Sequence, residues 1–414
     1  MKNGEASILF SVGFIVFVDM LGLGLIIPVM PRLISEVAQT SIHRSAEIGG
    51  LLMFSYAGMQ FLFAPTIGGL SDRFGRRPVL LATLFLLAVD YAIMALAPTL
   101  VWLVLGRMMS GVMGASWAAA NSCVADCVPA EKRGRAFGML AGAGAAGFVL
   151  GPALGGLAGE FGTRVPFVMA ACLALIGVGL GVALLKETLP FDRRRAFSLA
   201  RANPIGSIIQ IARTPFVLAC LAVIFFIQLS SQAQISIWAY WGELRFGWTP
   251  TITGLTASLY GVMLAFAQAV LTGQSVHRFG AANTARFALL FALPSYLILA
   301  FATSTTAVIV AILVGSFAGV TLPALQSLMS LRVDDDAQGE LQGAIASTLS
   351  ATAIIGPVLM TQTFAHFADD QGIYFPGAPF VISLASLVAA ITILWLSLRH
   401  KDVTGGVVRA DAKD

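Results

Sequence analysis

Charged residues are scarce in this sequence. Asp, Glu, Lys and Arg together make up 11% of the 414 residues, and 57% of the residues are hydrophobic. A soluble globular chain carries roughly 25% charged and 45–50% apolar residues, so this composition excludes a soluble domain. The composition therefore predicts a chain embedded in a lipid bilayer. The net charge of +4 forms no clustered basic face, so we expect no binding of nucleic acid.

Cysteine and phosphate-binding motifs are also rare or missing. Cys123, Cys127, Cys172 and Cys220 all fall in apolar segments and none forms a CxxC pair, so we expect no disulfide and no metal. Cys123 and Cys127 share a helix face, which leaves a soft-metal site as an alternative to packing. The sequence contains no GxxxxGK[ST] loop, so ATP is not the energy source. With no cofactor and no nucleophile–base constellation, we do not expect an enzyme.

Apolar segments of about 20 residues recur along the whole chain, and this is the length that crosses a hydrocarbon core of about 30 Å. Lipid offers the backbone no hydrogen-bond partners, so each segment must be helical. The first is too long for the apolar region of a signal peptide. We predict an all-α integral membrane protein with 12 transmembrane spans at residues 7–30, 46–70, 78–97, 100–124, 134–158, 165–185, 214–240, 250–275, 283–302, 305–328, 339–365 and 378–398.

Basic residues divide unevenly between the loops of the two membrane sides. Only Arg32, Arg44, Arg164 and Arg245 fall on one side. The richer side is cytoplasmic by the positive-inside rule, so both termini are predicted in the cytoplasm of a bacterial, multi-pass inner-membrane protein. The basic residues assigned to that side are Arg73, Arg76, Arg77, Lys132, Arg133, Arg135, Lys186, Arg193, Arg194, Arg195, Arg201, Arg213, Arg278, Arg286, Arg332, Arg399 and Lys401.

The sequence repeats itself at a single offset of 205 residues. Parallel repeats of this kind place a substrate site at the repeat interface near the bilayer midplane, which is a transporter layout. We predict two six-helix bundles at 1–185 and 214–398, joined by a cytoplasmic linker at 186–213 and followed by a tail at 399–414. The repeated pairs are Gly68/Gly273, Arg73/Arg278, Phe74/Phe279, Gly75/Gly280, Gly114/Gly319, Gly134/Gly339, Gly138/Gly343, Gly151/Gly356 and Pro152/Pro357.

Three charged residues lie inside the predicted spans of the first half and have no charged counterpart in the second: Asp19, Asp90 and Arg107. A charge at this depth costs at least about 2.5–3.5 kcal/mol, so we expect each to function in ion coupling. Asp90 and Arg107 are equally far from the turn between their spans and can pair. We predict that Asp90 exchanges a proton and that Arg107 tunes it; a structural salt bridge is the alternative.

The segment GGLSDRFGRRP at residues 68–78 resembles the signature loop GxLxDrxGRr of the major facilitator superfamily. We expect a cytoplasmic gate in which Asp72 caps the helix that begins near Gly339 and Arg76 reaches Asp126. The alternative is that these charges only set topology. The predicted gate residues are Gly68, Asp72, Arg73, Gly75, Arg76, Arg77 and Asp126.

The segment GFVLGPALGG at residues 147–156 resembles the GxxxGPxxGG motif of the antiporter branch of that superfamily. Its small residues allow two helices to touch backbone to backbone. A helix that is glycine-rich only for packing is the alternative. The motif residues are Gly147, Gly151, Pro152, Gly155 and Gly156.

Four further segments, DMLGLGLIIPVMP at 19–31, VDYAIMA at 89–95, GRMMSG at 106–111 and LPALQ at 322–326, look like those of the bacterial tetracycline/proton antiporters. This resemblance runs from about Gly13 to Phe364. It implies efflux of a tetracycline-like or other amphiphilic drug in exchange for a proton. Asp19, Asp90 and Arg107 match the group's functional residues. The candidate substrate-binding residues are Asp19, Gln60, Trp117, Asn121, Gln228, Gln232 and Trp238.

Two positions depart from the pattern of that group. Ala292 stands where the tetracycline pumps carry an acidic residue, four before a tyrosine, and Leu264 stands where many carry a histidine. We therefore predict weaker or absent tetracycline export and broader drug tolerance. A proton-coupled exporter or symporter of a small metabolite, on the same fold, is the alternative function. We expect a monomer whose partners are the drug, protons and the lipid bilayer.

Overall fold

A computed structural model describes residues 3–114, 116–194, 215–334, 337–369 and 372–398. The predicted tail and most of the predicted linker lie outside these residues, together with Arg195, Arg201, Arg213, Arg399 and Lys401. The described residues are almost entirely helical, and no strand occurs among them.

The described chain forms a succession of α-helices, most of them long and apolar. A 3₁₀ turn at Ile27–Val29 follows α1, a π-helical turn at Ala267–Leu271 joins α10 to α11, and another 3₁₀ turn at Ser316–Val320 joins α12 to α13. The helices are α1 Asn3–Ile26, α2 Met30–Ala38, α3 Ile42–Phe74, α4 Arg76–Leu96, α5 Leu100–Met113, α6 Ser116–Cys127, α7 Ala130–Gly159, α8 Val165–Leu184, α9 Pro215–Phe246, α10 Pro250–Phe266, α11 Thr272–Phe301, α12 Thr305–Gly315, α13 Thr321–Ser330, α14 Gln338–Phe367 and α15 Ala378–Ser397.

These helices account for all 12 predicted spans. Ten helical runs in the described residues are long and apolar enough to cross a membrane. The run Pro250–Phe301 holds two predicted spans, because the backbone leaves helical geometry at Gly280. The predicted span 100–124 is divided between α5 and α6, so it appears as a shorter apolar helix. The predicted all-α membrane fold is confirmed.

The repeat is visible in the backbone as well as in the sequence. Gly75 has φ of 107° and Gly280, its counterpart 205 residues later, has φ of 75°. A side chain at such angles would be strained, so glycine is needed at both turns. The repeated pair Gly114/Gly319 also marks breaks: Gly114 directly follows the last residue of α5, and Gly319 lies in the 3₁₀ turn between α12 and α13. The repeated glycines therefore mark equivalent interruptions.

The chain forms two compact units, and the first comprises Met1–Asn203, Gln234–Val262 and Ile354–Pro376. In it, α1 packs most extensively against α7 and also against α8, while α3 packs against α5 and α4 against α8. Close approach is possible because the facing positions are small, as at Gly151 beside Gly24. The core of this unit includes fully buried Trp241 and Trp248.

The second unit comprises Pro204–Ala233, Met263–Ala353 and Gly377–Asp414. Here α11 packs against α12, α13 and α15. In both units many large apolar side chains point outward, including Phe10, Leu62, Phe287 and Phe301, as a surface solvated by lipid requires. Because α9, α10 and α14 each contribute to both units, the predicted division into two bundles by the repeat stays a prediction.

Candidate functional site

The three intramembrane charges of the first half line one small cavity. Asp19 on α1, Asp90 on α4 and Arg107 on α5 reach it from three helices. We call this the acidic cavity. Its volume is about 20 Å³, which is room for roughly one water molecule. The other lining residues are Met20, Leu23, Tyr56, Leu87, Tyr91, Ser110 and Gly114.

Asp90 and Arg107 share the cavity without a direct ion pair within 4.0 Å. Asp90 is fully buried, and neither of its carboxylate oxygens accepts a hydrogen bond from a residue that the structure describes. Arg107 directs one terminal nitrogen to the sulfur of Met94 at 2.9 Å, and its Nε has no partner. Ser110 donates its hydroxyl to the carbonyls of Gly106 and Arg107. No hydrogen bond thus fixes the protonation state of Asp90.

Two tyrosines border the acidic cavity and were not found by sequence reasoning. Tyr91 is almost fully buried on α4, and its ring lies beside Gly22 of α1. Tyr56 on α3 lies beside Gly114 together with Gln60, which donates its amide to the Gly114 carbonyl at 3.0 Å. A tyrosine in an apolar helix can serve packing alone, because most of its ring is apolar, so the sequence carried no signal for these positions.

The loop between α3 and α4 is organised around the guanidinium of Arg76, which is only 9% exposed. Its Nη1 lies 2.6 Å from Asp72 and 3.2 Å from the Ser71 hydroxyl, and its Nε lies 3.1 Å from Asp126. The predicted contact between Arg76 and Asp126 is present. Asp72 pairs with Arg76 within the loop, and its proposed capping of a second helix stays a prediction.

The carboxylate of Glu187, just beyond α8, also contacts the start of α4. Its Oε1 accepts the backbone N–H groups of Arg76 at 2.9 Å and of Thr188 and Leu189 at 3.0 Å. The first N–H groups of a helix have no partner within the helix, so this carboxylate satisfies the start of α4. Sequence reasoning missed Glu187 because its partner lies 111 residues earlier in the chain.

The glycines of α7 make the backbone contacts that the motif predicts. A methyl group added at Gly151 would lie 2.7 Å from both Gly24 Cα and the Leu21 carbonyl of α1. Gly147 and Gly155 likewise meet the α1 backbone. Gly156 and the Pro152 carbonyl instead face α10, at Pro250 and Gly254. The motif therefore packs α7 against two helices at once.

Ser258 of α10 forms hydrogen bonds with backbone groups of α7 beside Pro152. The Ala153 N–H donates to the Ser258 hydroxyl at 3.0 Å, and that hydroxyl donates to the Val149 carbonyl at 2.6 Å. A side chain inserted into the i to i−4 ladder is a known cause of a helix kink. Ser258 was not predicted, because a lone serine in an apolar helix gives no signal of its partner.

A second cavity of the first unit, of about 70 Å³, is lined by aromatic and apolar side chains. Trp238 of α9, one of the predicted substrate-binding residues, is among its lining residues; its role stays a prediction. The indole N–H of Trp238 donates to the Thr256 hydroxyl at 3.0 Å. The rings of Trp241 and Trp248 lie 5.8 and 5.6 Å from the Trp238 ring.

Polar contacts also hold the opposite ends of these helices. Glu160, after α7, accepts from the Thr251 hydroxyl at 2.8 Å and from the Thr251 N–H at 3.3 Å. Hydrogen bonds from the side chains of Thr251 and Thr249 lower the pKa of Glu160 below its usual value. Arg32 of α2 lies 3.5 Å from Glu243 of α9.

The sequence matches a family model. The Major Facilitator Superfamily model matches residues 12–357 and, in a second match, 239–411. The chain belongs to the Major Facilitator Superfamily. The tetracycline resistance protein of class C from Escherichia coli is 39% identical over 86% of this chain and 89% of its own length. The class G protein from Vibrio anguillarum is 38% identical over 86% and 89%.

Solved transporters support the same fold. An inward-facing, occupied structure of a bacterial homolog of the human lysosomal transporter Spinster aligns with a TM-score of 0.82, covering 96% of this chain and 98% of that one. The identity is 16%, so this likeness concerns the fold alone. The predicted fold class and superfamily are confirmed.

The other predicted substrate-binding residues lie on α6 and α9. The ring of Trp117 packs beside Gly144 of α7, and Asn121 lies half-buried on α6. In the second unit, Gln232 is buried and Gln228 is half-buried on α9. The structure groups Asp19, Asp90 and Arg107 with Gln60 nearby. The roles assigned to all these residues stay predictions.

Proposed function

We propose that this superfamily member exports an amphiphilic drug, tetracycline-like or more varied, in exchange for protons by alternating access. The acidic cavity carries the argument. A buried carboxylate without hydrogen bonds is costly in an apolar interior, and transport supplies a reason for it, because a proton relay needs a group that accepts and releases a proton. The tetracycline resistance proteins among its relatives favour a drug as the other ligand.

We assign Asp90 and Asp19 to proton exchange and Arg107 to the counter-charge. All three line one cavity, so a proton on either carboxylate changes the charge that Arg107 faces. The Asp72–Arg76–Asp126 network closes one end of the helices and would open when the transporter changes state. We further propose the bacterial inner membrane and cytoplasmic termini, from the distribution of basic residues. The monomeric state stays a prediction.

Transport into everted membrane vesicles tests the function. Vesicles from a host without its own drug pumps would contain this chain, and respiration would make their interior acidic. We expect tritiated tetracycline to accumulate, the accumulation to collapse when a protonophore is added, and drug addition to release protons from the interior. Vesicles without the chain are the control. Drug uptake that does not change when the pH gradient is removed would contradict proton coupling.

A further inference from the structure

The aromatic cavity of the first unit carries an inference about how the drug is held. We call it the indole pocket. Residues from α7, α9 and α10 and from the 3₁₀ turn after α1 line it, and none of these described residues carries a charge. The lining residues are Ile27, Phe148, Pro152, Gln234, Ile235, Trp238, Ala257 and Tyr260.

The position and polarity of Trp238 are fixed by its neighbours. Its N–H is already bonded to Thr256, and two further indole rings pack beside it. Trp238 is only 4% exposed and contributes little surface to a ligand, whereas Phe148 is 40% exposed. The aromatic surface open to a ligand is therefore mainly that of Phe148, which favours stacked or edge-on contact with another ring. Among the described lining residues, the Gln234 amide and the Tyr260 hydroxyl add polar groups that can orient a bound molecule.

We propose that the indole pocket is a subsite for the uncharged fused-ring part of the drug, separate from the acidic cavity. The inference rests on the proposed function and names the part of the drug that this surface recognises. A charged group would lose its hydration here without a counter-charge. The volume of about 70 Å³ is well below the roughly 300–1,000 Å³ of a pocket for a whole drug-sized ligand, so it holds one edge of the ring system.

The first helix and the 3₁₀ turn that follows it connect the two cavities. Asp19 of α1 lies in the acidic cavity, and Ile27, eight residues later in the turn, lies in the indole pocket. Eight residues of helix span roughly 12 Å, so drug and proton act at separate positions of one continuous segment. Between them, Gly24 packs against the backbone of Gly151. Drug and proton therefore need not compete for one carboxylate.

Equilibrium binding of tritiated tetracycline to the purified full chain in lipid nanodiscs tests the subsite. Ala257→Leu fills the pocket, and we expect it to weaken binding on the order of tenfold or more, because a hydrophobic pocket discriminates by this factor for small changes in volume. Gln234→Leu conserves volume and should weaken binding by about twofold to tenfold through the lost hydrogen bond. Ala146→Leu, at an exposed position of α7 outside the pocket, is the matched control and should bind as the wild type does.

Proton release from vesicles on tetracycline addition, measured for the same proteins, separates the two claims. If the wild type releases protons but folded Ala257→Leu and Gln234→Leu proteins both bind tetracycline normally, the subsite is wrong and the proposed function stands. If Ala146→Leu weakens binding as much as Ala257→Leu does, the effect is not specific to the pocket and the inference is overturned. If the wild type neither binds tetracycline nor exchanges protons for it, the subsite for tetracycline is overturned; if no other amphiphilic drug drives proton release either, the proposed function fails as well.

Discussion

At the scale of single residues, the least expected environment is that of Asp90. It is fully buried, its oxygens accept no hydrogen bond within the described part of the chain, and the nearby cation does not pair with it directly. A salt bridge that only stabilised the fold would join the two charges and satisfy them with hydrogen bonds. The geometry around Asp90 therefore favours a group that changes charge over one that stays ionised for stability.

Replacing Asp90 with Asn separates proton exchange from drug binding. The amide keeps the shape of the side chain and removes its titration. We expect Asp90→Asn to abolish proton release on drug addition to everted vesicles while equilibrium drug binding is retained. Asp192→Asn, at an exposed position after α8, should keep both activities. Intact proton release by Asp90→Asn would move the coupling role to Asp19.

At the scale of secondary-structure elements, α7 packs closely against two helices, and Ser258 of α10 bonds its backbone beside Pro152. Its glycines meet the backbone of α1 on one side, and Pro152 and Gly156 meet α10 on the other. Lipid cannot drive helices together by the hydrophobic effect, so such contacts rely on van der Waals packing of small residues. The helix therefore has little tolerance for added volume on these two faces.

A matched pair of glycine substitutions on α7 tests this dependence. Gly151→Ala forces a methyl group against the α1 backbone, and we expect a loss of about 1–3 kcal/mol in stability from overpacking. Gly142→Ala, which would meet nothing within 4 Å, should be neutral or slightly stabilising because alanine favours the helix. Thermal unfolding in detergent compares the two. Equal unfolding temperatures for both variants would show that the contact does not limit stability.

At the scale of the whole molecule, polar contacts hold both ends of the membrane helices in the first unit. One end carries the Arg76 network with Glu187, and the other carries the contacts of Glu160 and Arg32. All these contacts lie at helix ends, where unpaired backbone groups and water favour polar side chains. Conditions that change one charge should therefore loosen one end while leaving the other intact.

Acid should loosen the end held by Glu160. The threonine hydrogen bonds lower the pKa of Glu160 below its usual value of 4.5. The ionised carboxylate therefore stabilises the folded state at pH values above 4.5, and this stabilisation is lost as the pH falls through the lowered pKa. We expect the unfolding temperature of the wild type to fall more steeply than that of Glu160→Gln between about pH 5 and 3. Equal slopes for the two proteins would contradict this linkage.

The choice of drug is also a property of the whole transporter. Ala292 is buried in α11, and Leu264 packs beside Gly319. Because these side chains are alanine and leucine, neither position supplies a charge or an imidazole. In a pump-deficient host we expect weaker tetracycline resistance than the class C protein gives, with broader tolerance of other amphiphilic drugs. Susceptibility profiles of the two proteins at matched expression measure this. High-level resistance restricted to tetracycline would show that these two positions do not matter.

The sequence by itself determined the membrane solvent, the 12 spans, the repeat and the superfamily, because apolar length and fixed motif spacing are local properties of the chain. It also predicted a function for Asp19, Asp90 and Arg107, since charges at that depth are costly. Only the tertiary structure decided their arrangement: the absence of a direct Asp90–Arg107 pair, and the partners that Glu187 and Ser258 find more than 100 residues away. Side-chain orientation and contacts between distant segments depend on how helices pack, which no local pattern encodes.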